Sequence, residues 1–213
     1  MDEYYGQHAK GAPVGQRPLY DYGDPYEEEP EEKRSCLRSI LDLVVMVAAA
    51  LAIAFLLRTF VVQPYQIPSG SMEPTIAVGN MVLGEKLTYI KGEVEPGDII
   101  TFDDPTGEDK TLIKRCIAVA GQTVDLVDGV VYVDGVALDE PYTYGRVSEP
   151  FAMMYDGSVM LYPYTVPEGY IWVMGDNRTN SADSRYFGAV PVSSVEARAF
   201  FTYWPLSEIG TLE

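Results

Sequence analysis

A short polar stretch, residues 67–76, carries the side chains best suited to nucleophilic chemistry. It reads Ile-Pro-Ser-Gly-Ser-Met-Glu-Pro-Thr-Ile and places Ser69 and Ser71 on either side of Gly70. Two prolines bracket the serines, and because proline fixes φ, this loop can hold a hydroxyl in one place. Taken alone, the same composition is more typical of an ordinary Ser/Gly/Pro turn.

A serine nucleophile needs a base, and the sequence limits which residue can supply it. The only histidine, His8, lies in an acidic N-terminal stretch, which argues against a Ser-His-Asp triad and a histidine-based zinc site. A lysine or a carboxylate remains. Lys114 lies within an apolar run, residues 112–117, where burial would lower its pKa towards that of a base. In isolation, a charge on an edge strand is the more ordinary interpretation.

A third polar segment, residues 175–185, directly follows an apolar run. Ser181 lies between charged residues that can form charge-assisted pairs. These residues are Asp176, Arg178, Asp183 and Arg185. The segment could be merely a rigid turn, or it could supply the hydrogen bonds that orient a catalytic base.

Strands must position these three segments, because no stretch after residue 62 has a convincing helical period. Two Asp-Gly pairs break the β-branched segment 123–138, which is a strong hairpin signal. We therefore predict a mainly β domain over residues 63–213, an antiparallel barrel or coiled sheet. Residues 141–168 are interpreted as an insertion packed on the sheet. Further strands are predicted at 98–102, 111–120, 170–174 and 197–203.

An apolar segment precedes this domain. Residues 43–57 are apolar without interruption, and the stretch 39–62 supplies the roughly 20 residues that a membrane-spanning helix needs. A cleaved signal sequence fits badly, because the segment before it is too long and no small-residue cleavage site follows. A buried core helix is the other alternative. More bases precede the segment than follow it, so we expect a cytoplasmic N-terminus and an extracytoplasmic domain. The flanking bases are Lys33, Arg34 and Arg38 before it and Arg58 after it.

Composition also limits the classes of molecule that the protein can bind. The net charge of −17 argues against nucleic acid, whose binding requires a basic face. Residues 1–38 are rich in Tyr, Gly, Pro and acids, which predicts a disordered acidic tail on the cytoplasmic side. Cys36 and Cys116 would then lie on opposite sides of the membrane and could not pair. We expect Cys116 to be a small buried thiol.

Four motifs, in order along the chain, resemble those of the bacterial type I signal peptidases (leader peptidases). This family consists of membrane-bound serine proteases with a Ser-Lys dyad. The resemblance covers residues 39–204 and leaves the tail outside. The matching motifs are residues 68–75 (nucleophile), 97–102 (a structural strand), 114–115 (lysine) and 175–185 (the last motif).

The resemblance implies a function and a place in the cell. The protein would remove signal peptides from secretory preproteins after a small-X-small (Ala-X-Ala-like) site, without a cofactor or metal. It would be a single-pass protein of the cell membrane, in contact with the lipid bilayer and close to the export translocon.

The resemblance also implies the catalytic roles. Ser71 would attack the scissile carbonyl, and neutral Lys114 would act as general base. The Ser71 backbone N–H and the Ser69 hydroxyl would form the oxyanion hole. Ser181 would accept or donate a hydrogen bond to orient the lysine amine.

Other matching positions would support the site or bind substrate. An Asp183–Arg185 salt bridge would hold the last loop, with Asp176 and Arg178 in support. The substrate would lie extended beside the strands, bound by backbone pairing. Its small side chains would enter shallow apolar pockets lined by Tyr65, Ile67, Met72, Ile76 and Ile113.

This chain departs from the family pattern at two positions away from the proposed dyad. Thr179 stands where many members carry aspartate, and Gln122 follows Gly121 in place of a common aspartate.

Two rival hypotheses remain. One is a soluble, self-cleaving repressor-type serine-lysine protease, which the membrane segment disfavours. The other is a catalytically silent, membrane-anchored β domain that binds envelope proteins.

Overall fold

The structure, a computed structural model, describes residues 36–212. Most of the predicted tail, residues 1–38, lies outside these described residues, so its disorder stays a prediction. Helix α1, Cys36–Phe60, comes first. Its portion from Arg38 to Phe60, 23 residues, is long and apolar enough to cross a membrane, and none of its most apolar stretch is buried. The alternative of a buried core helix is therefore wrong.

The helix differs slightly from its predicted span. It ends at Phe60, and Val62, which we placed in the membrane segment, is instead the first residue of strand β1. Contacts between residues divide the chain into two units inside this helix, between Met46 and Val47. The three-part division with boundaries at residues 38 and 62 stays a prediction.

Antiparallel strands make up most of the chain after the helix, which confirms the predicted fold class. They form an eight-stranded sheet in the order β1-β2-β11-β3-β4-β9-β10, with β12 on β11, and a four-stranded sheet in the order β7-β6-β5-β8. Two one-turn helices, α2 Thr88–Lys91 and α3 Ser184–Phe187, connect strands. The strands are β1 Val62–Gln66, β2 Met81–Glu85, β3 Ile99–Asp103, β4 Thr111–Val119, β5 Thr123–Val127, β6 Val130–Val133, β7 Val136–Ala137, β8 Tyr164–Thr165, β9 Tyr170–Met174, β10 Val190–Pro191, β11 Val195–Trp204 and β12 Gly210–Thr211.

The two Asp-Gly pairs form the hairpin turns of the smaller sheet, as predicted. Asp128 and Gly129 have φ of 51° and 79°, and Asp134 and Gly135 have φ of 52° and 76°. Positive φ at both central residues matches the right-handed twist of the strands that the turn joins. These turns place β5, β6 and β7 side by side.

Strand β4 lies at the centre of the larger sheet, between β3 and β9. Its side chains enter three apolar clusters: Ile113 packs in one, Cys116 in a second and Ile117 in a third. Burial on both faces explains why its sequence is almost continuously apolar. Cys116 is a free, buried thiol, as expected. Burial raises the pKa of this thiol to about 12, so it stays protonated near neutral pH.

Candidate active site

The side chains of Ser71 and Lys114 are in direct contact in a buried part of the β domain. Ser71 lies in a single turn of 3₁₀ helix, Gly70–Met72, and Lys114 lies on β4. The Lys114 Nζ donates hydrogen bonds to Ser71 Oγ at 2.9 Å and to the Ile113 carbonyl oxygen at 2.8 Å. The two side chains belong to residues only 7% and 3% exposed. A hydroxyl and an amine are thus in direct contact and shielded from bulk water.

Burial changes the acidity of this amine. It lowers the pKa of Lys114 to about 8, and the nearby charge of Asp183 opposes that shift only in part. Low-dielectric surroundings disfavour the ammonium form, so a useful fraction of the amine is neutral near neutral pH. Lys114 is therefore not an ordinary exposed charge on a strand edge, because its residue is only 3% exposed.

The first half of β4 has one unoccupied edge. Residues Thr111–Lys114 pair with β3, whereas pairing with β9 begins only at Arg115. No strand among the described residues covers the other edge of this half. A cleft of about 330 Å³ lies there, and both dyad residues line it. Its lining is Pro68, Ser69, Ser71, Lys110, Thr111, Leu112, Ile113, Lys114, Asn180 and Ala182.

The polar segment 175–185 is held by buried ion pairs. Arg185 binds Asp183 through Nε and Nη2, both at 2.9 Å, which is the salt bridge that we predicted. Asp183 also accepts the Gly175 N–H at 3.1 Å and caps α3 by accepting the Arg185 N–H. The Asp183 carboxylate thereby links the first and last residues of this loop, Gly175 and Arg185.

Asp176 and Arg178 do not pair with each other. Asp176 binds Arg115, next to the lysine, through Nε at 2.9 Å and Nη2 at 2.8 Å. Arg178 instead binds Glu140, with Nη1–Oε2 at 2.8 Å. Their ion-pair partners therefore lie outside the loop, and their supporting role stays a prediction.

The expected bond between Ser181 and Lys114 is not formed in this structure. Ser181 Oγ is buried and has no hydrogen-bond partner among the residues that the structure describes. It lies beside Gly175, where a methyl group would overlap both Ser181 Oγ and the Ser71 carbonyl oxygen. Ser181 is therefore close to the nucleophile turn, with an unused hydroxyl.

Comparisons with known proteins identify the family of this chain. The model of the family described as signal peptidase, peptidase S26, matches residues 40–204. The chain belongs to this family. Signal peptidase I of Mycobacterium tuberculosis (strain H37Rv) is 34% identical, over 97% of this chain and 87% of its own. Probable signal peptidase I-1 of Synechocystis is 39% identical, over 81% of this chain and 87% of its own.

A crystal structure of signal peptidase I from Enterococcus faecalis V583 is also similar, with 36% sequence identity. It covers 50% of this chain and 96% of its own, with a TM-score of 0.41. The resemblance to type I signal peptidases that the sequence showed is confirmed by the family match and the curated relatives.

Within the signal peptidase domain, the predicted substrate-binding residues divide into two groups. Ile113 lines the cleft, as does Ser69, whose side chain is exposed there. Ile67, Met72 and Ile76 pack with Ile113 in one core cluster and are not among the residues that line the cleft. Tyr65 packs against that cluster, and its hydroxyl bonds Glu196 and Thr101.

Sequence reasoning missed residues that hold the nucleophile turn of this signal peptidase. The Asn177 backbone N–H donates to the Ser71 carbonyl at 3.0 Å, and its side-chain amide donates to the Gly70 carbonyl at 2.8 Å. Nothing in the polar loop distinguishes Asn177 by sequence alone. Arg115 lies in the matched motif 114–115 but was given no role, although it is a second charge in the apolar run that contains Lys114. Residues 38–89 and 92–212 contain no acid, cysteine or histidine cluster that could hold a metal ion.

Proposed function

We propose that this protein is a membrane-anchored serine endopeptidase that removes signal peptides from secretory preproteins. The observation that carries the proposal is the 2.9 Å hydrogen bond between Lys114 Nζ and Ser71 Oγ, made by an amine with a lowered pKa. Membership of the signal peptidase family and relatives named signal peptidase I support the substrate class. Cleavage of a secretory precursor by wild type, and its loss in Ser71→Ala, tests the proposal.

The chemistry follows from the contact between the two side chains. Neutral Lys114 accepts the Ser71 proton as Oγ attacks the scissile carbonyl carbon. The lysine then returns this proton to the leaving amine, which leaves an acyl group on Ser71. A water molecule, deprotonated by the same amine, attacks the acyl carbon. The lysine then passes that proton to Ser71 Oγ as the bond between Oγ and the acyl carbon breaks, which frees the serine and restores the neutral amine.

An oxyanion forms on the carbonyl oxygen during each attack, and it needs hydrogen-bond donors. We assign the Ser71 backbone N–H and the Ser69 hydroxyl to this role. The position of Ser69 on the cleft wall supports the assignment. Donors placed in advance at such a site stabilise the transition state by a few kcal/mol each.

The uncovered edge of β4 suits an extended peptide. Residues Thr111–Lys114 have backbone groups on that side with no strand partner among the described residues, so a substrate segment can add as a further strand. Such pairing would lead the scissile bond to Ser71 and Lys114. Ile113 supplies an apolar wall to the same cleft, which supports a preference for small apolar side chains in a small-X-small site.

Ser181 fits the role of orienting the lysine once substrate is bound. A buried hydroxyl without a partner is unfavourable by about 1–3 kcal/mol. Ser181 Oγ is in that state here. A hydrogen bond to the Lys114 amine during catalysis would satisfy it, at the moment when the amine must turn its lone pair towards Ser71.

Helix α1 supports attachment to the cell membrane. We propose a single pass with a cytoplasmic N-terminus, an extracytoplasmic peptidase domain, contact with the lipid bilayer and proximity to the export translocon. Arg38 before the apolar stretch, together with Lys33 and Arg34 upstream, supports that orientation. A tag at the N-terminus should resist a protease added outside intact cells. Cleavage of the tag would show that the N-terminus lies outside and that the proposed orientation is wrong.

The two rival hypotheses explain less. A catalytically silent binding domain does not account for a buried lysine whose amine contacts a serine hydroxyl. A soluble repressor-type protease does not account for an exposed apolar helix of 23 residues.

A further inference from the structure

A short segment outside the four matched motifs, Glu140–Tyr142, contacts two arginines beside the site. Glu140 accepts a hydrogen bond from Arg178 Nη1 at 2.8 Å and forms a salt bridge with its Nη2. The Tyr142 ring lies under the guanidinium group of Arg115, whose Cζ is 4.0 Å from the ring centroid. The Tyr142 hydroxyl donates to Glu140 Oε1 at 3.1 Å, which ties the two contacts together.

Hydrogen bonds link both arginines to residues that lie next to the catalytic pair. Arg115 follows Lys114 on β4 and binds Asp176 with two bonds, and Asp176 in turn accepts a bond from the Thr75 hydroxyl in the serine loop. Arg178 donates from Nε to the Gly175 carbonyl at 3.0 Å. Gly175 is the residue packed against the Ser71 carbonyl.

The positive charges of Arg178 and Arg115 need the contacts that Glu140 and Tyr142 supply. The Arg178 side chain is fully buried, and Glu140 is the carboxylate that forms a salt bridge with it. A buried guanidinium group without its counter-ion is strongly unfavourable, so loss of Glu140 would force Arg178 to move. Tyr142 covers one face of Arg115, where a cation over an aromatic ring is favourable and where water is kept out.

We propose that Glu140 and Tyr142 are positioning residues for catalysis, which hold the two arginines and thereby fix Lys114 and Ser71 at reacting distance. This inference rests on the proposed function of the dyad. It assigns a role to Tyr142, within residues 141–168, which sequence reasoning interpreted as an insertion packed on the sheet.

The test compares Tyr142→Leu with Tyr142→Phe in the purified full chain, using a secretory precursor as substrate. Leucine removes the ring, and phenylalanine keeps it. Because small displacements of reacting groups cost up to about 100-fold in rate, we expect Tyr142→Leu to lower kcat by about 10- to 100-fold, with KM within about threefold of wild type. Tyr142→Phe should keep at least about a third of the wild-type kcat.

Two control variants separate positioning from general loss of stability. Tyr144→Leu makes the same substitution at a ring that is 78% exposed. Val131→Ala removes buried apolar volume in the smaller sheet, in a different apolar cluster from the one that contains Met72 and Ile113 next to the dyad. Both should retain kcat within about threefold when assayed well below their unfolding temperatures. If Tyr142→Leu loses no more kcat than Val131→Ala at equal fraction folded, the inference is overturned.

Glu140→Gln provides a second, independent arm should the leucine variant not fold. It keeps the shape of the side chain and removes its charge, and we expect kcat to fall about tenfold with KM unchanged. Wild-type kcat in Glu140→Gln would overturn the role of Glu140. If wild type itself cleaves no precursor, the proposed function fails, whereas wild-type cleavage with unaffected 140 and 142 variants defeats this inference alone.

Discussion

Gly175 lies so close to Ser71 that a methyl group on its α-carbon would overlap the Ser71 carbonyl oxygen. That carbonyl also accepts the Asn177 backbone N–H at 3.0 Å. The loop that follows β9 therefore holds the backbone of Ser71 by a hydrogen bond and by close packing. The position of Ser71 depends on this loop as much as on its own turn.

Gly175→Ala should disable the enzyme. The new methyl group cannot be accommodated unless the backbone of Ser71 or the side chain of Ser181 moves, and a shift of about 1 Å at a reacting group can lower the rate about 100-fold. We expect kcat to fall by at least that factor in a precursor-cleavage assay. Gly210→Ala is the matched control, because nothing lies within 4 Å of a methyl group there. Wild-type activity in Gly175→Ala would show that the turn tolerates displacement.

The rate should depend on pH through Lys114. Its amine acts only when neutral, and burial lowers its pKa to about 8. We therefore expect kcat/KM to rise with pH, with a midpoint near pH 8, and to level off above it. A pH series from 6 to 10 with a neutral peptide substrate measures this. A profile without a rise in that range would contradict the assignment of the base.

Lys114 should also cost the folded protein stability below pH 8. The folded-state pKa of about 8 is below the ordinary 10.5, so the unfolded chain binds more protons between these values and the free energy of unfolding rises with pH there. Relative to Lys114→Met, the wild type should gain about 3 kcal/mol across that window. Urea unfolding of both proteins at several pH values gives the difference.

That difference also removes an opposing effect common to both proteins. The pKa of Cys116 is raised on folding, to about 12, so its contribution falls as pH rises above 9. Both proteins share this thiol, and it cancels when one is subtracted from the other. A constant difference between wild type and Lys114→Met would show that Lys114 is not buried as described.

Asp176→Asn should destabilise the protein strongly. Asp176 and Arg115 are almost completely buried and share two hydrogen bonds, so replacing the carboxylate by an amide removes an ionic partner of a buried guanidinium group. Breaking such a pair costs about 3–5 kcal/mol. Urea denaturation measures it, with Asp139→Asn, an exposed carboxylate, as a control expected to stay within about 0.5 kcal/mol. Equal stabilities would mean that the pair contributes little.

Local sequence signals predicted those parts of the fold that local geometry determines. Asp128-Gly129 and Asp134-Gly135 define their turns through φ alone, and the strands between them follow. Strand β1 was missed because Pro64 interrupts it, and β2 because Gly84 does. Strand β1 pairs with β2, and β2 also pairs with β11, which is distant in sequence. A local sequence pattern does not show such pairings.

The site was predictable where a residue type is unusual for its surroundings. Lys114 stood out as a cation in an apolar strand, and Ser71 as a hydroxyl in a proline-bounded loop. The pairings between distant segments were not predictable, since Glu140 and Arg178 are separated by 38 positions. The burial of Met72 and Ile76 was likewise hidden, because an apolar side chain suits a core and a substrate pocket equally well.

The measurement that tests the central claim most directly is cleavage of a secretory precursor by the purified protein in detergent or liposomes. The products are identified by mass for wild type, Ser71→Ala and Lys114→Ala. The account predicts that wild type cuts after a small-X-small site and that both variants are inactive although folded. Undiminished cleavage by Lys114→Ala would contradict the dyad, and no cleavage by wild type would contradict the proposed function.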